Sequence, residues 1–242
     1  MSRFSDWLRQ KKAPSCSVVV AAAGSSARMG SDKLFMDLGG MPVLARTLLA
    51  LDRCVYVDEI VVVTREDKIL EVADMCRLYG ICKASKIVVG GSTRQESVLA
   101  GLSEISASAK LVAVHDGARP FVTSDLFERV AHLASLYQSA APVVPLNDTI
   151  KFADNGLSAG TLDRSRLVAM QTPQIFVPEL VKAALTRAVK ENSSFTDDCS
   201  AVEALGVPTR FADGSSENIK LTTPLDMELA LTILKKRERE GN

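Results

Sequence analysis

Val18-Val19-Val20-Ala21-Ala22-Ala23-Gly24-Ser25-Ser26-Ala27-Arg28-Met29-Gly30-Ser31-Asp32-Lys33 reads as a buried strand running into a small-residue loop that carries two cations. A run of Val and Ala has no polar face, so it suits a parallel strand covered on both sides. The loop has no bulk to obstruct a ligand, and Gly24 and Gly30 open backbone angles closed to other residues. Successive amides in such a loop can point at one anion, with Arg28 and Lys33 adding positive charge. Spacing excludes two common phosphate loops. Ser26 stands where the dinucleotide fingerprint needs its second glycine, and Met29 stands where a Walker loop needs the glycine before its lysine. Taken alone, the segment is either a phosphate cradle of another kind or a tight strand-to-helix turn with two surface cations.

Outward from this loop, strands and helices alternate. Pro42 to Asp52 reads as a helix with Leu44, Leu48 and Leu51 on one stripe. Glu59 to Thr64 is a second buried strand, Glu66 to Tyr79 a helix ended by Gly80, and Lys86 to Val89 a short strand ending at Gly90-Gly91. Thr93 to Ile105 is amphipathic, and Leu111 to His115 is a strand ending at Asp116. This alternation predicts a Rossmann-like, doubly wound, mostly parallel α/β sheet. The regularity breaks after the strand Ala140 to Val144. Pro145 to Pro173 is polar and turn-rich, and so long a stretch without a helix reads as a projecting β-arm. Helices at Pro178 to Lys190, Asp197 to Leu205 and Pro224 to about Arg237, with a strand near Thr209 to Ala212, complete the pattern. The reading is a single domain over 1–242 with an insertion at about 146–172.

Composition narrows the function. The chain has 242 residues, 47% hydrophobic but only 5% aromatic, so its core is aliphatic. Its 29 basic and 29 acidic side chains cancel, which argues against a nucleic-acid partner and leaves any phosphate binding to local placement. Five cysteines without C-x-x-C spacing and two scattered histidines argue against a disulfide framework or a zinc site. With no membrane-length apolar run and no signal-peptide core, the expected location is cytoplasmic.

In open parallel sheets, ligands sit beyond the carboxyl ends of the strands. Several chemically capable residues fall there: Arg28 and Lys33, Gly91 with Arg94 and Ser97, and Asp116 with Arg119. A carboxylate at Asp116 suits a magnesium ion or a ribose hydroxyl, and a guanidinium at Arg119 suits a phosphate, although an Asp–Arg pair can be purely structural. Thr196-Asp197-Asp198 reads locally as a helix cap with first-turn acids. There is no G-x-S-x-G elbow and no evident Ser or Cys partner for either histidine.

Together the motifs are far more specific. AAAGSSARMG and DKLF, GGSTRQESVLAGL, VHDGARPF, PLNDTIK, QTPQIF, FTDDCSAVEALG and ENIKLTTPLD resemble, in order and approximate spacing, the 2-C-methyl-D-erythritol 4-phosphate cytidylyltransferase family over about Ser17 to Leu234. The resemblance implies a fold of the nucleotide-diphospho-sugar transferase type. It also implies transfer of the cytidylyl group of CTP to methylerythritol phosphate, with pyrophosphate released and Mg2+ held mainly by the CTP phosphates beside Asp116. By similarity, Arg28, Lys33 and Lys220 surround the α-phosphate, while Ala22, Ala23, Gly24, Gly91, Ser97 and Asp116 serve the nucleotide. Asp116, Arg119, Thr149, Arg164, Thr172 and Thr196 serve the acceptor. The irregular segment is then an arm exchanged in a homodimer, with Arg164 reaching the partner's site.

Ribitol-5-phosphate cytidylyltransferases are the sister family and usually carry a bulkier residue between the Asp and Arg of VHDGARPF. Gly117-Ala118 looks more like the methylerythritol enzymes. A catalytically inactive nucleotide-binding homologue is the other alternative. Two positions depart from the family pattern: Ser26 replaces a usual glycine, and Asp32 replaces a frequent proline. The Asp32 carboxylate either offsets Lys33 or faces water.

Overall fold

The computed structural model describes residues 14, 16–24 and 32–240. The valine run forms β1 (Cys16–Ala21), and the chain continues through α1 (Val43–Asp52), β2 (Val57–Thr64), α2 (Ile69–Leu78), β3 (Ala84–Val89), α3 (Arg94–Glu104) and β4 (Leu111–Asp116). Then come α4 (Ser124–Tyr137), β5 (Ser139–Pro145), the pair β6 (Lys151–Asp154) and β7 (Leu157–Thr161), β8 (Val168–Met170) and β9 (Gln174–Phe176). The chain closes with α5 (Pro178–Lys190), α6 (Asp198–Glu203), β10 (Arg210–Asp213) and α7 (Pro224–Glu240).

The main sheet has eight strands in the order β10-β5-β9-β4-β1-β2-β3, with β8 also on β5. β1 runs parallel to β2 and β4, β2 to β3, and β5 to β10. β9 is antiparallel to both of its neighbours, and β8 is antiparallel to β5. The sheet is therefore mostly parallel, as the alternation predicts.

Side-chain alternation on the pleat divides the valine strands between two cores. Val18, Val20, Ile60, Val62 and Ala113 join α1, α2, α4 and α7 on one face. Val19, Val61, Val63, Val112 and Val114 join α3, α5 and α6 on the other. A strand buried on both faces must be apolar at every position, which is why β1 shows no polar period. α3 sits especially close, because a Cβ at Gly101 would lie 2.5 Å from Val19 Cγ1 and 2.7 Å from Val63 Cγ2. That approach fixes the helix whose first residue, Arg94, enters the site.

The structure adds elements that the strand–helix reading passed over. α4 is held by a Thr123 cap and buries Leu126, Phe127, Val130, Ala131 and Ala134. β8 and β9 lie in and beyond the end of the polar segment, and β9 is inserted between β4 and β5. The expected helix at Glu66 to Tyr79 begins as a 3-10 turn, Glu66–Lys68, before α2; Gly80 ends it with φ +65°. β6 and β7 pair only with each other and expose their side chains along their whole length, which makes the projecting hairpin of the expected arm.

Candidate active site

β1 has β2 on one side and β4 on the other, so the chain order reverses between β1 and β4. Ligands bind at such switch points, outside the carboxyl ends of the strands. Ala21 and Asp116, the last residues of β1 and β4, are register partners there, and Gly117 N–H donates to the Ala21 carbonyl at 3.0 Å. Two cavities open at this edge. The larger, about 500 Å³, is lined by Ala23, Gly24, Lys33, Gly91, Ser97 and Asp116, among others. The smaller, about 290 Å³, takes in Asp116, Arg119, Thr172 and Thr196. Arg94, Asp116 and Lys220 line both and form the shared wall.

On the nucleotide side of the expectation, the structure brings together Ala23, Gly24, Lys33, Gly91, Ser97, Asp116 and Lys220. Ala22 is different. Its side chain is in the core and its N–H donates to the Val63 carbonyl at 2.7 Å, so it supports the loop from beneath. Gly90 is required by packing: a Cβ there would lie 2.6 Å from that of Ala23 and 2.8 Å from Ser97 Oγ. The N-terminus of α3 faces the same space, capped reciprocally by Thr93 and Glu96, and its dipole favours an anion. Arg28 lies outside the described residues.

Asp116 is the electrostatic centre. Its Oδ2 is 3.0 Å from Lys220 Nζ and 3.4 Å from Arg119 Nε, and its Oδ1 is 3.9 Å from Arg94 Nη2. Burial alone would raise this carboxyl, but Lys220, Arg94 and Arg119 outweigh it and bring the pKa down to about 2. Arg119 is buried too. Its Nη1 donates to the Asn218 carbonyl at 2.7 Å, and burial lowers the guanidinium against the opposing pull of Asp116.

Behind Asp116 the polar groups are linked in a chain. His115 Nε2 lies 3.2 Å from the Arg119 carbonyl, which can only accept, so this nitrogen carries the proton. Nδ1 then accepts from the Thr172 hydroxyl at 3.0 Å, and that hydroxyl accepts the Asp116 N–H at 3.1 Å. Burial drives the imidazole down to about 4, against the favourable pull of the Arg119 carbonyl. The Lys220 loop is tied to the same assembly. Asn218 Nδ2 donates to the Thr172 carbonyl at 2.9 Å, Gln171 Nε2 donates to the Ser215 carbonyl at 2.8 Å, and Leu221 N–H donates to the Ala118 carbonyl at 2.9 Å.

On the acceptor side, Asp116, Arg119, Thr172 and Thr196 meet at the smaller cavity, whereas Thr149 and Arg164 do not. The latter two are exposed on the arm, where Arg164 Nη1 donates to the Asn147 carbonyl at 2.5 Å. Asp197 caps α6 by accepting the Ser200 N–H at 2.9 Å, as its position predicts. Asp32 pairs with Arg65 Nη2 at 2.7 Å, just beyond β2, a partner that neither expectation for it named.

The sequence reading makes Asp198 no more than a first-turn acid, notes Arg94 without using it, and gives Gln171, Gln174, Asn218 and Arg65 no role of their own. Their signal was slight, because each acts through a contact distant in sequence. Gln174 Oε1, for example, accepts the N–H groups of Asp198 and Cys199, both at 3.1 Å.

The fold and site define an α/β protein of the nucleotidyltransferase type, with a cation-lined crevice at the switch point of its sheet. The sequence profile of the 2-C-methyl-D-erythritol 4-phosphate cytidylyltransferases matches residues 16–236, and the chain belongs to this family. A relative of that description from Halalkalibacterium halodurans is 43% identical over 225 residues, 92% of this chain and 98% of the relative. One from Symbiobacterium thermophilum is 40% identical over 227 residues, covering 93% and 94%. Among solved structures, the 4-diphosphocytidyl-2C-methyl-D-erythritol synthase of Anaerococcus prevotii superposes with a TM-score of 0.81 at 28% identity, covering 92% of this chain and 99% of that one. The Thermus thermophilus cytidylyltransferase gives 0.75 at 31% identity, covering 91% and 99%. No helix among the described residues is long and apolar enough to cross a membrane.

Proposed function

We propose that the protein transfers the cytidylyl group of CTP to 2-C-methyl-D-erythritol 4-phosphate, giving 4-diphosphocytidyl-2-C-methyl-D-erythritol and pyrophosphate for isoprenoid precursor synthesis. The observation that carries this reading is the pair of adjoining cavities with Arg94, Asp116 and Lys220 as a common wall. Two phosphorylated ligands placed on either side of one cationic wall bring nucleophile and electrophile together, which is most of what phosphoryl transfer asks of a protein.

In this mechanism an oxygen of the acceptor phosphate attacks the α-phosphorus of CTP, and the bond to pyrophosphate breaks in line. The attacking group is already an anion, so no base is needed. Lys33 and Lys220, both on the larger cavity, stabilise charge gathering on the transferring phosphate, with Arg28 assigned to the same task by family likeness. Gly91 and Ser97 hold the base end, and Ala23 and Gly24 admit the backbone to the phosphates. Arg119, Thr172 and Thr196 hold the acceptor.

Magnesium fits this donor set. Among the described residues no group of three metal-ligating side chains exists, and Asp116 is the one carboxylate on the larger cavity. That suits Mg2+ bound through a single carboxylate with the nucleotide phosphates and water. When bound, the ion would neutralise triphosphate charge.

Thr149 and Arg164 sit on the exposed hairpin arm rather than at this chain's cavities, and exposed Phe152 and Leu157 accompany them. This supports a homodimer in which each arm serves the partner's site. A cytoplasmic location suits the five unpaired cysteines.

Pyrophosphate release, measured with CTP and Mg2+ against a panel of polyol phosphates, tests the proposal. Release with methylerythritol phosphate alone is the expected result. Equal turnover of ribitol 5-phosphate would move the protein to the sister activity, and CTP binding without turnover of any acceptor would make it a non-catalytic homologue.

A further inference from the structure

Asp198 is fully buried, yet it lies on neither cavity lining. Arg94 Nη1 reaches its Oδ1 at 2.7 Å, while its Oδ2 is buried without a hydrogen-bond partner. A carboxylate in such a place is costly, and an apolar residue would fill the space at less expense to the fold. Its effect is on Arg94. That guanidinium stands between two carboxylates, in contact with Asp198 and 3.9 Å short of Asp116. Asp116 is meanwhile in contact with Lys220 at 3.0 Å. Burial raises the Asp198 carboxyl and the Arg94 guanidinium opposes that rise, and acidic and basic side chains thus alternate along the wall between the cavities, from Asp198 on α6 through Arg94 and Asp116 to Lys220.

We propose that Asp198 is a positioning residue that holds Arg94 back from Asp116, so that Asp116 stays paired with Lys220 and the wall keeps both cavities open. The inference rests on the cytidylyl-transfer reading and deepens it. Without the Asp198 carboxyl to receive it, the nearest carboxylate for Arg94 is Asp116. A guanidinium closing on Oδ1 takes up the charge of the carboxylate that holds the Lys220 ammonium on Oδ2, and so loosens that pair. The base end of the nucleotide, served by Gly91 and Ser97, is untouched. CTP affinity is then largely retained while turnover falls.

The test uses Asp198→Asn, Arg94→Gln and the double variant, with pyrophosphate release for kcat and acceptor KM, and calorimetry for CTP binding. Asp198→Asn is expected to lower kcat about tenfold, in the middle of the range for coupled charged neighbours, with the CTP Kd shifted by less than about threefold. The double variant, which has no arginine left to collapse onto Asp116, is expected to be faster than Asp198→Asn. A crystal structure of Asp198→Asn should show Arg94 in contact with Asp116. Asp198→Ser gives the same comparison where Asn is not accommodated. Wild-type kcat in Asp198→Asn overturns the inference, as does a double variant no faster than it, or Arg94 still clear of Asp116 in the variant crystal. If wild type releases no pyrophosphate with any acceptor, the cytidylyl-transfer reading itself falls and takes the inference with it.

Discussion

His115 ties the stability of the site to pH by an amount that follows from its surroundings. The imidazole is completely buried, bonded to the Arg119 carbonyl and the Thr172 hydroxyl, and its pKa falls from 6.5 to about 4. Asp116 pulls that value up, while Arg119 and Lys220 push it down. Above pH 6.5 the ring is neutral in both folded and unfolded chains, and folding does not depend on it. Between 6.5 and 4 the unfolded chain takes up a proton that the folded chain refuses, so acid favours unfolding; below 4 the effect is complete. At about 1.4 kcal/mol per tenfold in proton affinity, the full loss is about 3 kcal/mol, with about 2 kcal/mol gone by pH 5. That is a large share of a typical stability of about 5–15 kcal/mol.

The perturbation is His115→Gln, which keeps a donor near the Arg119 carbonyl but does not titrate. At pH 7.5 it should cost about 1–2 kcal/mol, since the Thr172 hydroxyl loses its acceptor. Urea unfolding of both proteins from pH 7.5 to pH 4.5 is the assay. Other acids titrate in both proteins, so the difference between them isolates the imidazole. Wild type should lose its advantage over this range and become the less stable of the two near pH 4.5. The depressed Asp116 carboxyl adds a separate loss, present only as pH falls from 3.8 through about 2 and therefore outside this window. A difference constant to within about 1 kcal/mol from pH 7.5 to 4.5 would refute the burial argument.

Three further outcomes are expected. Lys33→Ala and Lys220→Ala should each lower kcat by roughly 10²–10³-fold with the circular dichroism spectrum unchanged, as removal of a charge-stabilising donor does; near-normal turnover would remove either lysine from its role. Arg164→Ala should raise acceptor KM while leaving CTP Kd alone, and an unchanged KM would detach the arm from acceptor binding. Gly101→Ala should destabilise the protein by about 1–3 kcal/mol, because its new methyl meets Val19 and Val63; an unchanged urea midpoint would mean that α3 sits farther from the sheet.

What the sequence made legible was whatever is local. The valine run needs no partner to announce a strand buried on both faces, and Gly80 ends α2 by its own backbone angle. Asp197 caps α6 three residues before Ser200 and could be read by spacing. What stayed hidden depends on contacts across the chain. β9 has three residues and is a strand only because β4 and β5 flank it. Asp198 has the same local signature as any first-turn acid, and only its pairing with Arg94, 104 positions away, gives it a task. Asp32 posed the same difficulty, since its partner Arg65 comes from the end of another strand. α4 is the exception, for its capping Thr123 and apolar stripe were available to the eye and were passed over.

The distribution of cations explains how a chain of zero formal net charge can be built to hold two phosphorylated ligands. Lys33 follows β1, Arg94 follows β3, Arg119 follows β4 and Lys220 follows β10. Each lies on the connection leaving the carboxyl end of a strand, and those strands share one direction, β1 to β4 through their parallel pairings and β10 by way of β5 and β9. A parallel sheet therefore gathers at one edge charges that the sequence scatters from position 33 to position 220. Left to themselves, such cations would repel one another and turn outward to water. Asp116 prevents this by pairing with Lys220 and Arg119, and Asp198 does the same for Arg94. On the cytidylyl-transfer reading, Lys220 and Arg119 would exchange the Asp116 carboxylate for a phosphate oxygen with little movement, and stabilisation that is already in place is the kind that lowers a barrier. On that reading Asp116 would hold Lys220 and Arg119 ready for phosphate while Asp198 keeps Arg94 from displacing them, so both buried carboxylates would belong to phosphate recognition.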